Sequence, residues 1–121
     1  MSDPLTGKII GAAIEVHKAL GPGLIEDAYE EAICHEFDIQ GIKYQRQFVV
    51  DLFYKGKKVK GQRLDLLVEN EVVVELKSLQ KVPNVVTAQI LGYLKATGLK
   101  RGLIINFGRS VMRRGITRIS N

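Results

Sequence analysis

A single cysteine, Cys34, leaves no disulfide framework and no cysteine-based zinc site. No apolar run reaches the roughly 18 residues a membrane helix requires. Residues 1–20 also lack the basic start and cleavage site of a signal peptide, so a cytoplasmic protein without membrane attachment is expected. There is no internal repeat, low-complexity tract or linker, and 121 residues suffice for one core rather than two, so a single domain over 1–121 is expected. Acidic residues are missing altogether after Glu75. The first 75 residues hold thirteen acids against nine Lys and Arg, a net of −4, while the rest hold nine basic residues and none acidic. Such a local excess of positive charge attracts phosphate backbones, although a basic surface also serves solubility.

What is present reads as a compact mixed fold. Hydrophobic residues make up 45% and charged ones 26%, which excludes a disordered tail. Ile9, Ile10, Ala13, Ile14, His17 and Leu20 recur at helical spacing until Gly21-Pro22-Gly23 stops them. Ile25, Ala28, Tyr29, Ala32, Ile33 and Phe37 predict a second helix ending near Gly41. A β-branched and aromatic run follows from Tyr44 to Phe53, then a turn over Tyr54 to Lys58. Asn84 to Lys95 predicts a third helix with Val85, Ala88, Leu91 and Leu94 or Lys95 inward. Leu103 to Phe107 reads as a strand buried on both faces, and Val111 to Ile119 as a last edge strand. The order ααβββαββ implies a central mixed sheet flanked by helices, of α/β or α+β class.

The stretch from Leu64 to Lys77 carries the most information. Leu64, Leu66 and Val68 alternate with Arg63, Asp65 and Leu67, and Val72, Val74 and Leu76 with Val73, Glu75 and Lys77, which predicts two strands of a hairpin. Facing residues of an antiparallel pair share a face, so burying both apolar sets pairs Val68 with Val72, Leu66 with Val74 and Leu64 with Leu76. An odd-numbered loop, Glu69 to Glu71, is required. Asp65 then faces Glu75, with Lys77 two residues along on the same side.

Two carboxylates and a lysine on one face suit phosphodiester hydrolysis. Magnesium takes one or two carboxylates and keeps several waters. The Leu76 carbonyl, between the two motif residues, is a candidate further ligand, and the lysine would orient the nucleophile or neutralise charge. Spacing alone equally allows a surface hairpin whose Glu75 and Lys77 merely pair in water. Glu26 is a second candidate, though acids also favour the first turn of a helix through its dipole. Gln89 and Tyr93, four apart on one helix face, would contact a phosphate or remain surface residues. Cys34 reads as a small core residue rather than a nucleophile, and His17 and His35 are too scattered for a metal site.

Gly23-x-x-Glu26-x-x-Tyr29 resembles the signature of the GxxExxY proteins, a branch of the PD-(D/E)xK nuclease superfamily. The resemblance extends over Ile10 to Glu30, Arg63-x-Asp65, Glu75-x-Lys77, Gln89-x-x-x-Tyr93 with Leu94 to Gly98, and Gly102 to Gly108. It implies a restriction-endonuclease-like fold with Asp65, Glu75 and Glu26 as metal ligands and Lys77 as the catalytic lysine. Gln89 and Tyr93 match a helix motif of the exonuclease branch. Leu64-Asp65 replaces the Pro-Asp of the superfamily name. The implied activity is a Mg2+- or Mn2+-dependent nuclease acting on DNA in repair, restriction or mobile-element defence. A non-catalytic module binding nucleic acid or protein, and a subunit active only within a complex, remain alternatives. A homodimer or a partner protein is compatible with a domain this small.

Overall fold

The computed structural model describes residues 3–121. Its first helix, α1 (Pro4–Leu20), begins where Asp3 caps it, accepting the Leu5 N–H at 3.2 Å and the Thr6 hydroxyl. Pro4 at the first position lacks only a hydrogen that has no partner there. Ile9, Ala12, Ala13 and Val16 form the buried stripe. Gly21 ends the helix with φ 73°, and Gly41 ends α2 (Glu26–Gln40) with φ 74°, a left-handed conformation glycine tolerates.

Five strands follow as β1 (Tyr44–Tyr54), β2 (Lys57–Val68), β3 (Val72–Lys77), β4 (Arg101–Asn106) and β5 (Ile116–Ser120), with α3 (Asn84–Thr97) between β3 and β4. They form one sheet in sequence order. Neighbours are antiparallel except β3 and β4, which run parallel because α3 carries the chain back across the sheet. The fold is therefore α+β, with the expected order of elements. Two cores lie on opposite faces. Tyr29, Ile33 and Phe37 of α2 and the α1 stripe cover Leu66, Val68, Val72, Val74 and Leu76. Val86, Ile90, Tyr93 and Leu94 of α3 cover Leu67, Val73 and Ile104. In β4, Leu103 and Ile105 enter the first core and Ile104 the second, as expected for a strand covered twice.

Three expectations require correction. Val111 to Ile119 is not one strand: Met112–Gly115 forms a 3-10 turn and β5 starts at Ile116. A Cβ on Gly115 would lie 2.2 Å from the Asn106 carbonyl, so the turn passes too close to β4 for any other residue. On α3 the expected inward face holds only at Leu94: Val85, Ala88 and Lys95 are exposed and Leu91 is half-buried, while Val86, Ile90 and Tyr93 join Leu94 in the core. Strand β2 also starts seven residues before Leu64, at Lys57, in a segment with no apolar alternation.

Candidate active site

The β2–β3 hairpin turns through Glu69, Asn70 and Glu71, with Glu69 at φ 51° and Asn70 at φ 56°. The odd-numbered loop is the expected one, and Val68–Val72 and Leu66–Val74 pair as expected. Leu64 and Leu76 do not pair, because the backbone ladder ends at Leu66–Val74. Beyond it, side chains take over. The Asp65 N–H donates to Glu75 Oε1 at 3.1 Å, and the Leu76 N–H donates to Asp65 Oδ2 at 2.8 Å. The two carboxylates thus occupy the gap where the strands part, and Leu64 packs into the α3-side core instead of joining Leu66.

This position perturbs both acids. Glu75 is 7% exposed. Burial, and then the Asp65 charge, push its pKa up to about 7, against the opposing Asp65 N–H and Lys77. Burial likewise raises Asp65, countered first by the Leu76 N–H, with Glu30 raising it further. Lys77 Nζ stands 3.9 Å from Glu75 Oε2, too loosely placed to compensate the pair. Each carboxylate retains one oxygen free of a backbone donor, Asp65 Oδ1 and Glu75 Oε2. Two hard oxygens sharing an uncompensated charge suit a divalent cation.

The other candidates stand in different surroundings. Tyr93 is buried, and its phenol pKa is raised by burial and then by the Glu75 and Asp65 charges. Gln89 is exposed one turn away. Both line a cleft of about 250 Å3 between α3 and the β1–β2 hairpin. Leu76 is buried and gives its N–H to Asp65. Glu26 is exposed in the first turn of α2 and acts on Glu75 only as its weakest named influence. Among the described residues, no three His, Cys, Asp or Glu side chains form a compact ligand set.

Residues not singled out from the sequence complete the surroundings. Buried Glu30 receives Arg46 Nε and Gln47 Nε2, each at 2.9 Å. Gln47 has φ 52° within β1, between Arg46 and Phe48, which pair with Leu66 and Leu64 and so bring it across from Asp65. Its amide opposes the rise of the Asp65 pKa. The only advance signal for Glu30 was its position four residues after Glu26 on the same helix face.

The Gly23-x-x-Glu26-x-x-Tyr29 motif is largely scaffold. Tyr29 stacks on Phe107 with ring centroids 4.2 Å apart. Its hydroxyl donates to the Gly21 carbonyl and accepts from the Leu24 N–H, holding the loop that enters α2. Gly23 there has φ 92°. The Ser78 hydroxyl donates to the Leu24 carbonyl, tying that loop to the residue after Lys77. Asn106 clamps the next residue: its Oδ1 accepts from Leu79 N–H and its Nδ2 donates to the Leu79 carbonyl. His17 contacts the Arg109 carbonyl at 2.8 Å, away from the acids. Cys34 is buried with its thiol pushed up to about 11, an unreactive core residue.

A five-stranded mixed sheet with helices on both faces is a restriction-endonuclease-like fold. The family model of the PD-(D/E)XK nuclease superfamily matches residues 3–119, and the chain belongs to that superfamily. None of the curated proteins matches it. Among solved structures, the crystal structure of SSO0001 is similar, with a TM-score of 0.47 and 16% identity, covering 100% of this chain and 80% of that one.

Proposed function

We propose that the chain is a divalent-metal-dependent nuclease that hydrolyses phosphodiester bonds in DNA, with Mg2+ or Mn2+ held by Asp65 and Glu75. The observation that carries this reading is the buried, mutually repelling pair where β2 and β3 part, with Lys77 beside it. A cation there supplies Lewis-acid stabilisation to the charge that builds on the phosphoryl oxygens. Asp65 Oδ1 and Glu75 Oε2 would hold it, with the Leu76 carbonyl and Glu26 as further candidate oxygens. Lys77 places an ammonium next to the reacting phosphate, where it holds the attacking water or offsets negative charge in the transition state. Water adds to phosphorus, the ester oxygen leaves, and that oxygen takes up a proton. Tyr93 and Gln89 position the backbone from the cleft they line. The resemblance of Gly23, Glu26 and Tyr29 to the GxxExxY signature fits this assignment.

The test is an electrophoretic screen of circular, linear, single-stranded and branched DNA with Mg2+ or Mn2+. Cleavage should require the metal and disappear in Asp65→Ala and Lys77→Ala while both variants stay folded. Equal residual cleavage in the variants would trace the activity to a contaminant. Salt-sensitive binding with no product would instead identify a non-catalytic module.

A further inference from the structure

The β1–β2 hairpin reaches well past the sheet. Only Leu66 to Val68 of β2 pair with β3, so its earlier residues have β1 as their sole ladder neighbour. From Leu52 to Leu64 the hairpin carries five cations, Lys55, Lys57, Lys58, Lys60 and Arg63, and no acid. Asp51 engages one of them, Lys58, at 3.3 Å. Tyr54 at the tip is 64% exposed, with Lys55 Nζ 5.5 Å from its ring centre. The ladder shifts register between Val50 and Leu52 opposite Gly61, where a Cβ would lie 2.1 Å from the Val50 carbonyl. Such a bulge bends a strand pair.

The bent hairpin overhangs α3. Leu52 and Gln62 form one wall of the 250 Å3 cleft, Gln89 and Tyr93 the other, and Ala88 and Gly92 leave its floor open. A Cβ on Gly92 would meet nothing within 4 Å. Gln62, in the hairpin wall, precedes Asp65 by three residues on β2, about 10 Å along the strand. Tyr54 follows Leu52 by two residues and shares its face toward the outer end.

We propose that this cleft is the track of a single, unpaired nucleic-acid strand, with the hairpin lysines on its phosphates and Tyr54 stacked on a base. The proposal rests on the nuclease reading for where the strand leads, to the carboxylates. One strand fits better than a duplex for two reasons. The cleft is smaller than the roughly 300–1,000 Å3 of ordinary ligand pockets. An exposed ring flanked by lysines is also useful only to a base whose face is free, as in other single-strand binders.

The experiment is fluorescence anisotropy of labelled single-stranded and duplex oligonucleotides with the full chain in EDTA, over a range of salt. The single strand should bind more tightly. Replacing Lys55, Lys57 and Lys60 by Gln should lower the log–log salt slope by about 2. Tyr54→Ala should weaken binding roughly tenfold. Gly92→Leu and Ala88→Leu, each checked by thermal unfolding, should fill the floor and weaken binding at least as much. The chain has no Trp, so Tyr emission should also fall as the strand stacks on Tyr54. Equal or tighter duplex binding, or single-strand affinity untouched by these variants, would overturn the track. So would a lysine variant that only converts a dimer to monomer, which would make the hairpin a self-association edge. Expected binding without any cleavage in Mg2+ would leave the track standing and remove the nuclease reading; cleavage with unaffected binding would do the reverse.

Discussion

Glu75 offers the most direct test of the site's electrostatics. Its folded pKa is about 7 against an ordinary 4.5, raised first by burial and then by Asp65. Between these values the folded chain retains a proton that the unfolded chain has released. Stability from this group is therefore complete below pH about 4.5 and lost as pH rises through 7. At 1.36 kcal/mol per unit, the loss is on the order of 3 kcal/mol, and Asp65 shifts in the same direction. Glu75→Gln keeps an oxygen to accept the Asp65 N–H but carries no charge. Wild type and variant should melt within a few degrees of each other at pH 5, where the folded chain keeps Glu75 largely protonated and the penalty is only about 0.8 kcal/mol. At pH 8 the variant should melt higher by roughly 10 °C, taking about 4 °C per kcal/mol for a domain of this size. Circular dichroism melts at the two pH values measure this. A cation held by Asp65 and Glu75 removes the same penalty, so Mg2+ should stabilise wild type at pH 8 and do little for Glu75→Gln; magnesium at 100 times its dissociation constant contributes about 2.7 kcal/mol. A wild type that gains stability from pH 5 to 8 relative to the variant would refute the reasoning.

Tyr29→Phe keeps the stack on Phe107 and removes both hydroxyl hydrogen bonds to the Gly21–Leu24 loop. Denaturant unfolding should show a loss of about 1–3 kcal/mol, with cleavage reduced because the loop also anchors Ser78. Gly108→Ala puts a Cβ 2.2 Å from the Leu79 carbonyl, a backbone atom that cannot swing aside, and should destabilise by about 1–3 kcal/mol. Gly7→Ala, in the exposed part of α1 with nothing within 4 Å, should instead stabilise by about 0.5–1 kcal/mol. Equal effects at the two glycines would contradict the packing described.

The site pair was legible because burial has a period. Leu66, Val68, Val72 and Val74 must share a face, and that requirement alone set Asp65 across from Glu75. The same rule failed at Leu64, since alternation assumes a continuous ladder and here carboxylates replace its bonds. Lys57 to Arg63 escaped because most of that segment is exposed, leaving no apolar pattern to read. Val85 and Val86 are adjacent valines that support two helical stripes, and only contact with Ile90 and Leu94 selects the second. Glu30 looked like one more acid in Glu30-Glu31; its burial depends on Arg46 and Gln47, which reach it from β1. The left-handed Gln47 has no sequence signature, because its conformation belongs to the strand's partners rather than to glutamine.

The charge split at Glu75 changes meaning once the chain is folded. Counted along the sequence, positive charge belongs to the last 46 residues. In space, one basic arm is the β1–β2 hairpin, drawn from the acidic part of the chain. Around the parted strands the balance is reversed: Glu26, Glu30, Asp65 and Glu75 act on the site, with Lys77 and Arg46 as the nearby cations. An approaching phosphate is therefore attracted by the hairpin and repelled at the carboxylates. A divalent cation would reverse only the second effect, so cation and nucleic acid should each strengthen the other's binding, by the same factor. With Ca2+ in place of Mg2+, oligonucleotide affinity should rise in the wild type, and the gain should vanish in Asp65→Ala. An equal gain in that variant would mean that the ion acts elsewhere than between Asp65 and Glu75.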